Sequence, residues 1–230
     1  LFISILGLLM VCHAMTGLAD TEIKAEHALP EVACRYQMKV TPNDKSRSSI
    51  KSAWYFWRKT GMVQSLEDDG NFGEIWEETS TGHIHYRKLY PADKTAVEYM
   101  PADNPVSQLS FNWNKLSGIL SKEELDELKI VKKLKLMGKA AELRKGKSKD
   151  QSIVVNWLVE ENLPVSIIKK SKLGKTELHL IEMLPLATAH HKFIDMNEIA
   201  NYRHIDAADF GDLENDPFVK KLMLANGHHH

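Results

Sequence analysis

The chain has 230 residues, 43% apolar and 27% charged, with 30 Lys and Arg against 31 Asp and Glu for a formal net charge of −1. That balance excludes an overall field favouring nucleic acid, an anionic membrane or an acidic substrate, and it is the composition of an ordinary soluble globular protein. The length suits one large domain or two small ones, with enough core to fold without covalent staples.

Leu1 to Cys12 is an uncharged apolar run, and Gly17-Leu18-Ala19 places small residues where a signal peptidase would cut. This predicts a secretory signal over residues 1–19, truncated at its start because the basic n-region and initiator Met are missing, with a mature chain from Asp20. A run of about 12 apolar residues is too short to cross a bilayer, which takes about 20. The expected location is therefore periplasmic, for a Gram-negative source, or secreted. Cys12 follows Leu9-Met10-Val11 rather than the small residue that lipid attachment wants, and reads as a passenger. Cys34 is then the only cysteine of the mature chain, with no intrachain disulfide partner, and is expected to be buried. Gly227-His228-His229-His230 reads as a tag remnant or a natural His-rich tail. Residues 20–226 are expected to form a single β-rich domain with an acidic C-terminal segment.

From Cys34 the pattern has a period of two. Arg35 to Val40 alternates polar and apolar residues, as a half-buried strand does. Thr41-Pro42-Asn43-Asp44 is turn chemistry. Lys51 to Lys59, Met62 to Leu66, Glu74 to Glu78, His83 to Leu89 and Thr95 to Met100 follow, divided by turn residues, and predict an antiparallel meander. Around Leu116, Ile119 and Leu120 the spacing suggests a helical turn. Ser121 and Glu124 then form a capping box, with Leu125 and Leu128 on one face of a short helix.

Lys133 to Leu136 alternates again, while Lys139 to Lys145 is weakly patterned. Ser152 to Val159, Val165 to Lys170 and Thr176 to Met183 are strong strands, the last two joined by a turn at Leu173-Gly174-Lys175. Beyond Pro185 the pattern fades, apart from a helical turn within Asp195 to Ala200 and a terminal helix opened by Asp216-Pro217. The expected fold class is mainly β with a few helices, built on a strongly curved antiparallel sheet.

The stretch Asn156-Trp157-Leu158-Val159-Glu160-Glu161-Asn162-Leu163-Pro164, followed by Val165 to Lys170 and a further strand past Gly174, resembles the periplasmic lipoprotein-carrier superfamily of the LolA and LolB type. In that family a strand ends at a Leu-Pro turn and a hairpin follows. The layout is similar from Gln37 to Met183. The resemblance implies a half-open barrel holding helices against its concave face, with acyl chains or lipidated proteins carried in the concavity. It assigns no site residue.

Four groups of residues are candidates for function. Trp54, Phe56, Trp76 and Trp157 lie on strands and are the expected ligand-binding set. Trp54 and Phe56 point to one face, Tyr55 and Trp57 to the other. One face should fill the core, and the other needs a helix, a ligand, a partner or the protein's own cover. His83 and His85 share a face two residues apart and could ligate zinc, copper or nickel, with His190, His191 and His204 later in the chain. Neither spaced cysteines nor an HExxH helix accompanies them. Asp206, Asp209, Asp212, Glu214 and Asp216 could meet calcium, although the spacing is not that of an EF-hand. Lys129 to Lys149 could face lipid headgroups or an acidic partner, or be a solvated edge.

No nucleophile elbow, phosphate-cradling loop or paired-cysteine motif is present, so no enzyme and no cofactor are predicted. The expected function is a binding or carrier protein for an apolar or amphiphilic ligand, such as a lipid or lipoprotein acyl chain, with peripheral membrane contact. The alternatives are an envelope metal-binding protein and an interaction module without a small ligand.

Overall fold

The computed structural model describes residues 29–100, 112–148, 150–189 and 193–225. The expected signal with Cys12, the His190-His191 pair and the terminal histidines lie outside these described residues. Twelve strands form one sheet: β1 (Val32–Pro42), β2 (Ile50–Lys59), β3 (Met62–Glu67), β4 (Gly73–Glu78), β5 (Ile84–Tyr90), β6 (Thr95–Tyr99), β7 (Lys129–Leu136), β8 (Lys139–Ser148), β9 (Gln151–Leu158), β10 (Leu163–Lys170), β11 (Gly174–Pro185) and β12 (Arg203–Asp206). Their order is β12-β6-β5-β4-β3-β2-β1-β11-β10-β9-β8-β7, in a curved sheet that does not close. Every neighbouring pair is antiparallel except β12, which runs parallel to β6. Among the described residues four short helices accompany it: α1 (Trp113–Gly118), α2 (Lys122–Asp126), α3 (Met196–Ile199) and α4 (Pro217–Ala225).

Alternation sorts the strand residues onto two faces. The inner face carries Cys34 and Tyr36 of β1, Trp54 and Phe56 of β2, and Val155 and Trp157 of β9, packed with Leu120, Leu125 and Leu128 of the α1–α2 segment in one apolar cluster. Tyr36 is fully buried, and its hydroxyl donates to the Pro164 carbonyl at 3.1 Å. The outer face of β3 to β6 buries Met62, Ile75, Leu89 and Ala96 under Ile199 and Tyr202, so α3 and the turn after it cover that side. Helix α4 packs Phe218, Val219 and Leu222 on Val97 and Ile205. The two-faced aromatic strand β2 is thus served by its own protein at its lower half, where Phe56 and Trp57 are both buried, while Trp54 and Tyr55 stay partly open.

The capping box forms as expected: Ser121 Oγ accepts from the Glu124 amide and Glu124 returns to the Ser121 amide. Other local readings change. Lys139 to Lys145 belongs to a full strand, β8, whose Ala140, Ala141 and Gly146 gave little contrast in polarity. Arg203 to Asp206 is a four-residue strand held by its pairing with β6 rather than by its own pattern. Leu163 and Pro164 do not make the turn; they open β10, and the turn is residues 159–162, with Asn162 at φ 51. Pro164 sits where the β9–β10 register slips before Ser166, a place where a missing amide costs little.

Candidate functional site

Between the inner face of β1 to β5 and helix α1 lies a cavity of about 1110 Å³. Its wall is largely apolar: Trp54 and Phe56 from β2, Trp76 from β4, Tyr86 from β5, and Leu116 and Ile119 from α1 and its C-terminal end. Charged groups line it too, among them Lys51, Asp68, Glu74, Lys88 and Lys115. Strand register explains the arrangement. Val63, Trp76, Tyr86 and Tyr99 are cross-strand neighbours, and Trp76, Tyr86 and Tyr99 stack at 5.7 and 5.1 Å between centroids. The next rung carries Ser65, Glu74 and Lys88, which places polar groups beside the aromatic row.

Tyr86 donates its hydroxyl to Glu74. Burial raises the Glu74 carboxyl above its ordinary range, and the Tyr86 hydrogen bond and the Lys88 charge hold it back from rising further. Lys115 pairs with Glu124 at 2.9 Å, and Arg35 grips Asp68 with two hydrogen bonds of 3.1 and 2.9 Å. Ile119 follows α1 at φ 69, ψ −32, a region that a β-branched side chain rarely enters, and it is this residue that reaches the cavity wall.

Three of the four expected ligand-binding residues, Trp54, Phe56 and Trp76, share this cavity. Trp157 does not. It is 3% exposed beneath α1 and α2 and borders a separate cavity of about 950 Å³ with Leu120, Leu125 and Asn162. Glu74 and Lys88 escaped sequence reasoning, because isolated polar residues on a strand carry no signal until register puts them beside an aromatic row.

At the opposite end of the inner face a buried cation ties the cover down. Arg58 is 2% exposed and donates to the carbonyls of Ser117 and Glu161, both at 2.6 Å, and of Pro30 at 3.0 Å. Glu161 is itself buried and pairs with Lys139 at 2.6 Å. Cys34 is a free, buried thiol; desolvation pushes it up to about 12, opposed by the nearby Arg58.

His83 is exposed just ahead of β5, whereas His85 lies on the outer face between Glu77 at 3.8 Å and Glu98 at 3.4 Å, with Arg87 at 3.2 Å. His204 joins the same outer face through Glu98 at 2.6 Å. Among the described residues no group of three or more His, Cys, Asp or Glu side chains is placed to hold a metal ion. The acidic segment is used locally: Asp206 accepts from the Ala208 amide, and Asp216 accepts from Phe218 and Val219 at the start of α4 and pairs with Arg203. The lysines of β7 stand exposed on the sheet's edge.

No family model and no curated protein matches the chain. Among solved structures it is similar to PNGF-II, at 10% identity and a TM-score of 0.41, covering 81% of this chain but only about a third, 33%, of that one. It is also similar to a domain from Vibrio parahaemolyticus assigned to outer membrane lipoprotein sorting, at 12% identity and a TM-score of 0.34, over 74% of this chain and 89% of that one. A LolA superfamily protein from Nitrosomonas europaea is similar at 9% identity and a TM-score of 0.34, over 67% of this chain and 85% of that one.

Proposed function

We propose that this chain is an envelope binding or carrier protein that takes up an apolar or amphiphilic ligand, such as a lipid or a lipoprotein acyl chain, in the cavity between the inner face of the sheet and α1. The observation that carries this reading is the cavity itself: about 1110 Å³, walled by Trp54, Phe56, Trp76, Leu116 and Ile119, with charged groups also in its lining. Ligand pockets commonly have volumes of about 300–1,000 Å³, apolar walls and a few placed polar groups. An acyl chain would lie along the apolar wall. A polar headgroup would stay near Lys51, Lys88 and Lys115.

The test is to purify the chain without its terminal histidines, extract it with organic solvent, and look for lipid by mass spectrometry. Recovery of a lipid in stoichiometric amount supports the carrier reading. A clean extract, together with no uptake of a fluorescent fatty acid, sinks it and favours a module that binds other proteins without a small ligand.

A further inference from the structure

The β1–β2 and β10–β11 loops lie at the same end of the sheet and are fastened together. The Asn43 amide donates to the Leu173 carbonyl at 3.0 Å, and its side chain donates to the carbonyls of Ser171 at 3.2 Å and Lys172 at 2.8 Å. Gly174 lets the strands beneath approach closely; a Cβ there would stand 2.4 Å from the Thr41 carbonyl oxygen. The result is one braced platform made of two hairpin tips.

Its surface chemistry runs against what turns ordinarily show, which is polar and small residues. Leu173 is 87% exposed and Ile50 is 67% exposed. Around them residues 43–51 carry Lys45, Arg47 and Lys51, and residues 170–175 carry Lys170, Lys172 and Lys175, against Asp44 alone. This excess sits in a chain whose formal net charge is −1. Only Lys175 of the six is spent on an ion pair among the described residues, with Glu177 at 2.6 Å. Lys51 also belongs to the wall of the large cavity, so the platform and the ligand cavity adjoin.

Projecting apolar side chains ringed by lysines suit an anionic bilayer, into whose interface the apolar groups dip while the cations meet the headgroups. They suit a protein partner less well, because protein interfaces are depleted in Lys and favour packed aromatic cores. We propose that this hairpin platform docks the protein on an anionic lipid surface, with Leu173 and Ile50 as the inserting side chains and the cavity beside the contact.

Vesicle co-sedimentation of the full chain tests this, with phosphatidylcholine alone and with added phosphatidylglycerol. Binding is expected only with the anionic lipid, falling as salt rises. Each lysine near such a surface accounts for about fivefold in affinity, so the Lys170→Ser/Lys172→Ser double variant is expected to bind roughly 25-fold more weakly. Leu173→Ser is expected to lose about tenfold. These side chains are solvent-exposed, so both variants should keep the wild-type denaturation midpoint. Equal binding to neutral vesicles, or wild-type binding by both variants, overturns the proposal. Failure to bind anionic vesicles does so as well and assigns the lysines to an acidic protein partner. Lipid recovered by solvent extraction is read separately, so a chain that docks but holds no lipid upholds the platform while failing the carrier reading.

Discussion

Arg58 and Ser117, 59 residues apart in sequence, meet through a 2.6 Å hydrogen bond from Nη1 to the backbone carbonyl. The same guanidinium serves Pro30 and Glu161, so one buried side chain on β2 joins the entry segment, the end of α1 and the β9–β10 turn. Gly118, beside Ser117, lies against Asn162, where a Cβ would come within 3.0 Å of Nδ2.

Replacing Arg58 with Met should therefore cost about 3–5 kcal/mol, since the buried Ser117 and Glu161 carbonyls and the part-buried Pro30 carbonyl lose their donor and Glu161 loses a nearby positive charge. Arg58→Lys should recover only part of this, because an ammonium cannot reproduce the planar fork. Urea denaturation of the three proteins checks it; an unchanged midpoint for Arg58→Met would refute the clasp.

Glu74 gives a pH signature. Its folded-state pKa is raised by burial, so its protonated form favours the fold. That contribution is complete below the ordinary carboxylate pKa and is lost as pH rises through the raised value. Glu74→Gln should accordingly match wild type at pH 4 and exceed it at pH 7. A variant that is weaker at neutral pH would mean that the Tyr86 and Lys88 contacts outweigh desolvation.

Trp54 and Trp157 should separate cleanly. Trp54 is partly exposed in the large cavity, and Trp54→Ala should reduce lipid recovery at a small stability cost. Trp157 is sealed beneath α1 and α2, and Trp157→Ala should cost about 3–5 kcal/mol. Parallel extraction and denaturation measurements decide it; similar effects of the two substitutions in both assays would show that the two sites are not distinct.

Cys34 should be silent in the native protein. With its thiol pushed up to about 12 by burial, the thiolate population near pH 8 is very small. Ellman's reagent at that pH should react slowly with folded protein that begins at Asp20, in which Cys34 is the only cysteine, and at once in denaturant. Fast native labelling would contradict the burial.

Much of this architecture is readable in the sequence: β2 and β9 announce themselves as aromatic or β-branched runs, Trp54-Tyr55-Phe56-Trp57 and Val154-Val155, and β11 through the period-two alternation of Leu178-His179-Leu180. Ser121 and Glu124 likewise specify a helix start by local chemistry alone. What stays hidden depends on partners distant in sequence. Strand β12 takes its conformation from β6, Ala-rich β8 from its neighbours on both sides, and the Ser65–Glu74–Lys88 rung from a register that no single segment encodes. Trp157 looked equivalent to Trp54 because a strand's alternation says which residues share its face, not which part of that face a helix will cover.

Strand β1 lies inside the sheet between β2 and β11, pairing Val32 with Pro185 and Pro42 with Gly174. The first described strand thus waits for nearly the last. Until residues 174–185 have been made, one long edge of β1 stays unsatisfied, and the inner cluster lacks Leu178 and Leu180. Such distant pairing pays its loop-closure entropy before any contact rewards it, which slows folding. A nascent chain that stops short of Gly174 should therefore remain open and sensitive to protease, and the finished sheet should appear in one late step rather than growing strand by strand.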